Sequence, residues 1–275
     1  MNKKTSFSLL IFVLLLASLG FSQGTPALSD KEMAAVEDLF EKANTQLANK
    51  EYSAALANYQ TALKALPGDP AILYNAGFAA MLSKEFVIAA ELLNSVKKLD
   101  PDDWQVRAKL IQVFQALGKI PERDREREEL IALWKKGSNE ELKEQIEFCR
   151  ERFTAGGRDV MAFELFEFKG PRGMRYIFRV INESGNEDHR ISLGSYDMTN
   201  AIWQETSKPK PKKGVRLFHL DGYFPNGHAT YGMFPGEPTY EETRKLVVDI
   251  LEKNEKPISA TIQAQPQNND PQKDQ

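Results

Sequence analysis

The sequence YSAALANYQTALKALPGD, residues 52–69, has a counterpart 34 residues later in FVIAAELLNSVKKLDPDD, residues 86–103. Within both stretches the apolar residues recur at intervals of three and four, which is the period of an amphipathic helix. The equivalent positions are Tyr52 and Phe86, Ala55 and Ala89, and Pro67 and Pro101. A repeat of this length predicts stacked helical units, each of which buries its apolar face against the next.

The pattern resembles the tetratricopeptide repeat family, whose unit is a helix–turn–helix of about 34 residues. The second repeat keeps the family positions Leu73, Ala76, Gly77, Phe86, Ala89 and Pro101; the first keeps Ala43, Tyr52, Ala55, Tyr59, Ala62 and Pro67 but has Lys42 where the family prefers leucine. A third unit keeps Leu110, Leu117 and Gly118 but has Arg123 in place of a small residue, so its second helix is predicted to be a solvated cap. The resemblance covers residues 33–136.

The resemblance also implies a concave groove, lined by the first helix of each pair, that grips a peptide of another protein. The family pattern places the following residues in it: Phe40, Asn44, Leu47, Tyr74, Asn75, Phe78, Met81, Lys109 and Gln112. Part of the family clamps a carboxylate with lysines and asparagines, and this chain matches at Asn44, Asn75 and Lys109 but departs at Phe40 and Gln105. Alternatively, Phe78 and Met81 pack against the C-terminal half.

The spacing of apolar residues changes in the second half of the chain. A capping box at Ser138 and the apolar series Leu142, Ile146, Cys149 and Phe153 predict a connecting helix over residues 137–157. Alternating residues then predict strands at 160–168, 175–181 and 190–193, followed by two more strands and a final helix that begins at Thr239. The expected fold class is therefore α+β: an N-terminal all-α array, then a small antiparallel-sheet domain over 158–254. A short helix near 195–205 is also predicted.

The two last strands lie in LFHLDGYFPNGHATYGMF, residues 217–234, around the hairpin signal Asn226-Gly227. A two-residue loop there would pair Tyr223 with Thr230 and Asp221 with Gly232. Alternation gives this hairpin a core face and a polar face; the polar face carries His219, Asp221, Tyr223, His228 and Thr230. These residues are candidates for acid–base chemistry, and His219 and Asp221 for metal ligation. A surface that contacts a ligand or partner, a solvated sheet face and a buried polar network remain alternatives.

The N-terminus has Lys3 and Lys4, an apolar run over 7–17 and small residues after it, which predicts a signal peptide over 1–22 with cleavage after Ser22 or Gly24. Residues 23–32 are then a linker, and the polar tail 255–275 is predicted to be disordered. Without its two signal-peptide lysines the chain keeps 34 basic and 39 acidic residues. Export to a bacterial envelope, periplasmic or secreted, suits a chain whose only cysteine is Cys149. That cysteine is expected to be buried and inert. Because no cysteine lies near the predicted cleavage site, the chain is not expected to be a lipoprotein.

These observations favour a non-enzymatic adaptor or scaffold that holds another envelope protein or peptide. No G-x-S-x-G, H-E-x-x-H, phosphate-loop or paired-cysteine motif is present. A hydrolase or metal-binding protein that uses His219, Asp221 and Tyr223 is the alternative, and the lysine loop at 208–213 suggests a third role, binding an anionic polymer. No cofactor, no nucleic acid and no membrane span after signal cleavage are expected, because the chain is acidic and its apolar run is short.

Overall fold

The computed structural model describes residues 28–167, 172–182, 184–196, 217–224 and 227–253. The predicted signal peptide, the predicted short helix beyond Tyr196, the lysine loop and the polar tail lie outside these residues. The described chain has a helical half and a sheet half, with the following elements: α1 Asp30–Ala48, α2 Tyr52–Ala65, α3 Pro70–Leu82, α4 Phe86–Leu99, α5 Trp104–Ala116, α6 Ile120–Lys136, α7 Glu140–Lys143, β1 Glu147–Ala155, β2 Arg158–Leu165, β3 Arg172–Ile181, β4 Glu187–Tyr196, β5 Leu217–Phe224, β6 Gly227–Phe234 and α8 Tyr240–Glu252.

The helical half consists of three antiparallel helix pairs, as the repeat predicted. The turn inside each pair contains one residue with positive φ, and these residues are 34 positions apart: Lys50 at 66°, Lys84 at 67° and Gly118 at 67°. Asp69 and Asp103 cap α3 and α5 by accepting hydrogen bonds from backbone N–H groups of the first turn. Small residues allow close helix packing; a Cβ on Gly77 would lie 2.9 Å from Leu93 Cγ of α4. Helix α1 begins at Asp30, so it takes in the end of the predicted linker.

The sheet half is a six-stranded antiparallel sheet in the order β1-β2-β3-β4-β5-β6. Helix α8 covers one face, and the core between them includes Phe178, Leu193 and Leu220 of the sheet and Val247 of the helix. Thr239 and Glu242 form a capping box at the start of α8, as expected for a helix beginning at Thr239. The apolar residues of α8 that face this core are Leu246, Val247, Ile250 and Leu251. The α+β class is therefore confirmed.

The predicted connecting helix over 137–157 is wrong, because its second half is the edge strand β1 and only the short helix α7 precedes it. The N-cap is Asn139 rather than Ser138, and Ile146 is 72% exposed instead of facing a core. A bulge at Arg150 inserts one extra residue into β1. The bulge brings Phe148 and Phe153, five residues apart, to the same side of the sheet. A bulged strand can therefore imitate the three-and-four spacing of a helix.

The predicted solvated cap is also wrong, because α6 is the helix that joins the two halves. Arg123, Glu126 and Leu130 of α6 are buried. Trp134 stacks on Phe166 with ring centroids 5.4 Å apart. Charged residues of α6 can be buried because they form ion pairs, for example Glu126 with Arg107 at 2.8 Å.

The hairpin of β5 and β6 has a different register from the predicted one. Phe224 pairs with Gly227, and Asp221 pairs with Thr230 instead of Gly232. A bulge then shifts the register so that His219 pairs with Met233 and Phe218 with Phe234. Phe234 packs on the core. The turn signal located the hairpin correctly but not its loop, and the bulge changed the remaining pairs.

Candidate functional site

The candidate site is the face formed by α1, α3 and α5, the first helices of the three pairs. Side chains connect these helices across the face. Asn75 Nδ2 of α3 lies 3.4 Å from Asn44 Oδ1 of α1, and Tyr59 donates a 2.6 Å hydrogen bond from its hydroxyl to the same oxygen. The Asn44 carbonyl therefore holds α1, α2 and α3 together and is already engaged.

The centre of the face is built around Lys109 of α5. Its ammonium lies 4.6 Å from the ring centroid of Tyr74 and 4.9 Å from that of Phe78, both on α3. It also donates a 2.5 Å hydrogen bond to the Tyr74 hydroxyl, which donates at 2.9 Å to Gln105 Oε1. Gln105 in turn donates at 3.3 Å to Glu141 of α7. This hydrogen-bonded series fixes two aromatic rings and a cation on one surface.

Burial lowers the pKa of Lys109 to about 8, and the positive charge of Arg152 acts in the same direction while Asp103 opposes both. The Lys109 ammonium has no ion pair with any carboxylate among the described residues. A half-buried ammonium that contacts only aromatic rings and a hydroxyl can donate a hydrogen bond to an anionic or carbonyl group of a ligand.

We call this face the groove. The predicted groove residues that are half-buried on it are Phe40, Asn44, Leu47, Tyr74, Asn75, Phe78, Lys109 and Gln112. The Phe40 ring leans on Tyr59, with centroids 5.9 Å apart. Met81 differs from the others, because it is only 8% exposed and belongs to the helical core. Its position on α3 follows the family pattern, but the neighbouring helices cover it.

The polar hairpin face is more closed than its sequence indicates. Asp221 is buried and accepts a 2.8 Å hydrogen bond from the Thr230 hydroxyl, while the Tyr223 hydroxyl is hydrogen bonded to Ser192 of β4. Burial lowers the pKa of His219, and the charge of Asp221 opposes that shift. His219 and Asp221 thus share one face and interact electrostatically.

The structure does not bring the hairpin candidates into one catalytic or metal centre. His228 pairs with Tyr223 and His219 with Met233, so the two histidines are several residue pairs apart along the hairpin; the His228 side chain lies outside the described part of the chain. Within the described residues, no three side chains of histidine, cysteine, aspartate or glutamate are placed to hold a metal ion. The hairpin face is a hydrogen-bonded polar network.

Cys149 lies on β1 rather than on a helix, and burial raises the pKa of its thiol to about 11. Such a thiol is almost wholly protonated at neutral pH and is a poor nucleophile.

His189, which sequence reasoning did not single out, is buried beside Phe224 with ring centroids 5.0 Å apart. Its Nδ1 lies 3.0 Å from a carboxylate oxygen of Asp188. These residues line an open depression of about 390 Å³ with Tyr223 and Arg190.

Residues 46–113 match the family model described as tetratricopeptide repeat. The helical half is a tetratricopeptide repeat array. No curated protein matches the chain. None of the described helices is long and apolar enough to cross a membrane.

Solved structures of tetratricopeptide repeat domains are similar to the array, and three of them illustrate the likeness. The Sgt2 TPR domain from Aspergillus fumigatus is 25% identical, covers 40% of this chain and 72% of its own, and has a TM-score of 0.35. The first TPR of Spaghetti (RPAP3), bound to HSP90 peptide SRMEEVD, is 23% identical with coverages of 39% and 84% and a TM-score of 0.34. The Arabidopsis OM64 TPR domain is 19% identical with coverages of 41% and 91% and a TM-score of 0.36.

Proposed function

We propose that this protein is a non-enzymatic adaptor that binds a peptide segment of another protein in the groove of its tetratricopeptide repeat array. The observation that supports the proposal most is the fixed surface of Tyr74, Phe78 and Lys109. These side chains are half-buried on the face that the family uses for peptides. Rigid aromatic anchors with one cation bind extended peptides at a low entropic cost.

The experiment is an affinity capture from envelope extract with the mature chain and three variants. Phe78→Glu places a charge beside the aromatic anchors and should abolish capture of the partner. Val87→Glu is the matched control, because Val87 is 60% exposed on α4, in the other helix layer, and should capture normally. The Asp221→Ala variant reports on the polar hairpin face.

A partner that is lost with Phe78→Glu but kept with Val87→Glu and Asp221→Ala supports the groove. Equal capture by Phe78→Glu and the unmodified chain would refute the proposal. Loss only with Asp221→Ala would move the contact to the sheet. Thermal melts of the unmodified chain, Phe78→Glu and Val87→Glu should agree within a few degrees, since these two substitutions replace half-exposed or exposed groups.

We also propose that the adaptor acts in a bacterial envelope after removal of residues 1–22. The support is the sequence pattern of two lysines, a short apolar run and small residues. Expression of the full chain in a bacterium, followed by fractionation and N-terminal sequencing, tests this directly. Export requires the envelope form to begin at Gln23 or Thr25; an unprocessed chain in the cytoplasm would contradict it.

A further inference from the structure

The layer formed by the first helices, α1, α3 and α5, continues beyond α5, because β1 packs along that helix. Ile111 of α5 and Phe148 of β1 belong to one core cluster. In the layer of second helices, α8 lies next to α6 in space, and Arg123 of α6 forms a 3.0 Å ion pair with Glu241 of α8. The sheet therefore extends the inner layer of first helices, and α8 extends the outer layer of second helices.

The strand pairing shows which sheet residues continue the groove. Residues opposite each other in an antiparallel pair point to the same side. Cys149 pairs with Phe163, Arg152 with Met161, and Met161 with Arg179, whereas Ala162 and Phe178 lie in the core under α8. We call the side opposite α8 on β1, β2 and β3 the outer sheet face; it carries Glu147, Cys149, Arg152, Met161, Phe163 and Arg179.

The outer sheet face has a composition like that of the groove. The Arg179 guanidinium lies 4.3 Å from the ring centroid of Phe163 and pairs with Glu147. Phe163 and Met161 are half-buried on it. Among the described residues, the helices other than α5 pack on the opposite side of the sheet. The groove and the outer sheet face therefore share the pattern of an aromatic ring beneath a cation.

Arg152 stands where the groove meets the outer sheet face. Its positive charge lowers the pKa of both the Cys149 thiol and the Lys109 ammonium, so Arg152 lies near both groups. Arg152 is exposed, and it forms no ion pair with any described carboxylate. Asp103 offsets part of the Lys109 charge, whereas Arg152 has no ion pair of its own among the described residues, so an anionic group would be stabilised at this junction.

We propose that the groove and the outer sheet face form one continuous surface for an extended acidic peptide, and that Arg152 binds a peptide carboxylate where the peptide passes from α5 to β1. The inference rests on the proposed function. Helix axes are about 8–10 Å apart, so the path from α1 over α5 to β1 is roughly 25–30 Å, or about eight residues of extended chain. A guanidinium offers paired donors that match a carboxylate, which gives Arg152 the role of a specificity residue.

This site differs from the carboxylate clamp of the family. Clamp positions Phe40 and Gln105 lack lysine here, and the Asn44 oxygen is occupied by Tyr59. The second cation comes instead from β1, outside the repeat array. Acidic recognition at this junction therefore requires both halves of the chain.

The test is selection of a displayed random 12-residue peptide library on the mature full-length chain, with an enriched peptide then synthesised with a fluorescein label. Affinity is measured by fluorescence anisotropy for the unmodified chain, Phe78→Glu, Arg152→Glu and Arg125→Glu. Arg125 is exposed on α6, on the other side of the molecule, and makes the same charge change. We expect enrichment of aspartate or glutamate, a loss of about 10-fold or more for Arg152→Glu, and less than about 2-fold for Arg125→Glu.

A synthetic version of the peptide with each acidic residue replaced by its amide completes the test. It should bind the unmodified chain about 10-fold more weakly and should no longer distinguish Arg152→Glu. Peptides that require Phe78 but show no acidic enrichment and no Arg152 effect would overturn this inference and leave the proposed function standing. Peptides that bind equally to Phe78→Glu, or a selection that enriches nothing, would count against both.

Discussion

The carboxylate of Glu164 is the most informative group to remove, because it joins the two halves of the molecule. It lies on β2 with no exposed surface. Arg127 of α6 donates to it from Nε at 2.9 and 2.8 Å and also from Nη2, and Arg150 of β1 donates from Nη1 at 2.7 Å. One acid thus compensates two guanidinium groups at the junction between the array and the sheet.

We expect Glu164→Gln to lower the free energy of unfolding by about 3 kcal/mol. Removing one partner of a buried ion pair typically costs about 3–5 kcal/mol, because the remaining charge is left uncompensated. The side chain of Arg127 is 22% exposed and can recover part of the loss from water, whereas that of Arg150 is 5% exposed and cannot. The amide keeps one acceptor oxygen, which also favours the lower end of the range.

Urea unfolding of the mature chain measures the effect, followed by tryptophan fluorescence because Trp134 stacks on Phe166 at the same junction. Glu144→Gln is the matched control, since Glu144 is exposed, and should change stability by less than about 0.5 kcal/mol. Adding Arg127→Met to Glu164→Gln should cost little more, because the partner of Arg127 is already gone. A loss below about 1 kcal/mol for Glu164→Gln would refute the buried ion pairs.

The same carboxylate sets a direction for pH dependence. Burial raises the pKa of Glu164, but hydrogen bonds and charges from Arg127 and Arg150 outweigh it, so the pKa is lower than the usual 4.5. A carboxyl whose pKa is lower in the folded state stabilises the fold above its unfolded pKa, and this contribution is lost as the pH falls towards the folded pKa. The unmodified chain should therefore lose stability more steeply below about pH 4.5 than Glu164→Gln does. Parallel slopes would contradict the assignment.

Two further predictions concern β1 and its turn. Gly156 and Gly157 both have positive φ, but a Cβ on Gly156 would lie 2.2 Å from the Leu251 carbonyl oxygen, while nothing lies near one on Gly157. Gly157→Ala should cost about 1–2 kcal/mol and Gly156→Ala at least about 2 kcal/mol more in urea unfolding; equal losses would contradict the packing of α8 on this turn. Because burial raises the pKa of Cys149 to about 11, iodoacetamide at pH 8 should alkylate the native thiol at least about 100-fold more slowly than the urea-unfolded thiol, and comparable rates would contradict the environment described.

The sequence predicts the array well because each repeat is decided locally. The features that define a repeat lie within one helix pair or between adjacent pairs. They are small residues such as Ala55 and Ala89 and the turns spaced 34 residues apart. Most of the groove follows from this register. Met81 was placed on the surface because a repeat pattern gives the face of a helix but not how far neighbouring helices cover it.

Prediction failed where distant parts of the chain decide the structure. At the bulge, Arg150 forms an ion pair with Glu164 of β2, and no residue within β1 indicates that partner. Similarly, the charged residues of α6 indicate a solvated surface when α6 is considered alone. Their burial depends on partners elsewhere in the chain, such as Glu164 of β2 for Arg127. The outer sheet face could not be found from sequence, since β1 was predicted to be helical.

The unusual composition of α6 follows from what it packs against. A further repeat would contact this helix through small residues, as Ala55 and Ala89 do in the other pairs. Here the neighbour is a sheet edge with a buried acid, and α6 meets it with Arg127 together with Trp134. Ion pairs need fixed geometry, so they hold β1 in one position beside α5. That fixed position places Arg152 at the end of the groove beside Lys109. A peptide site that spans both halves would therefore depend on Glu164, a buried carboxylate on the opposite side of the sheet.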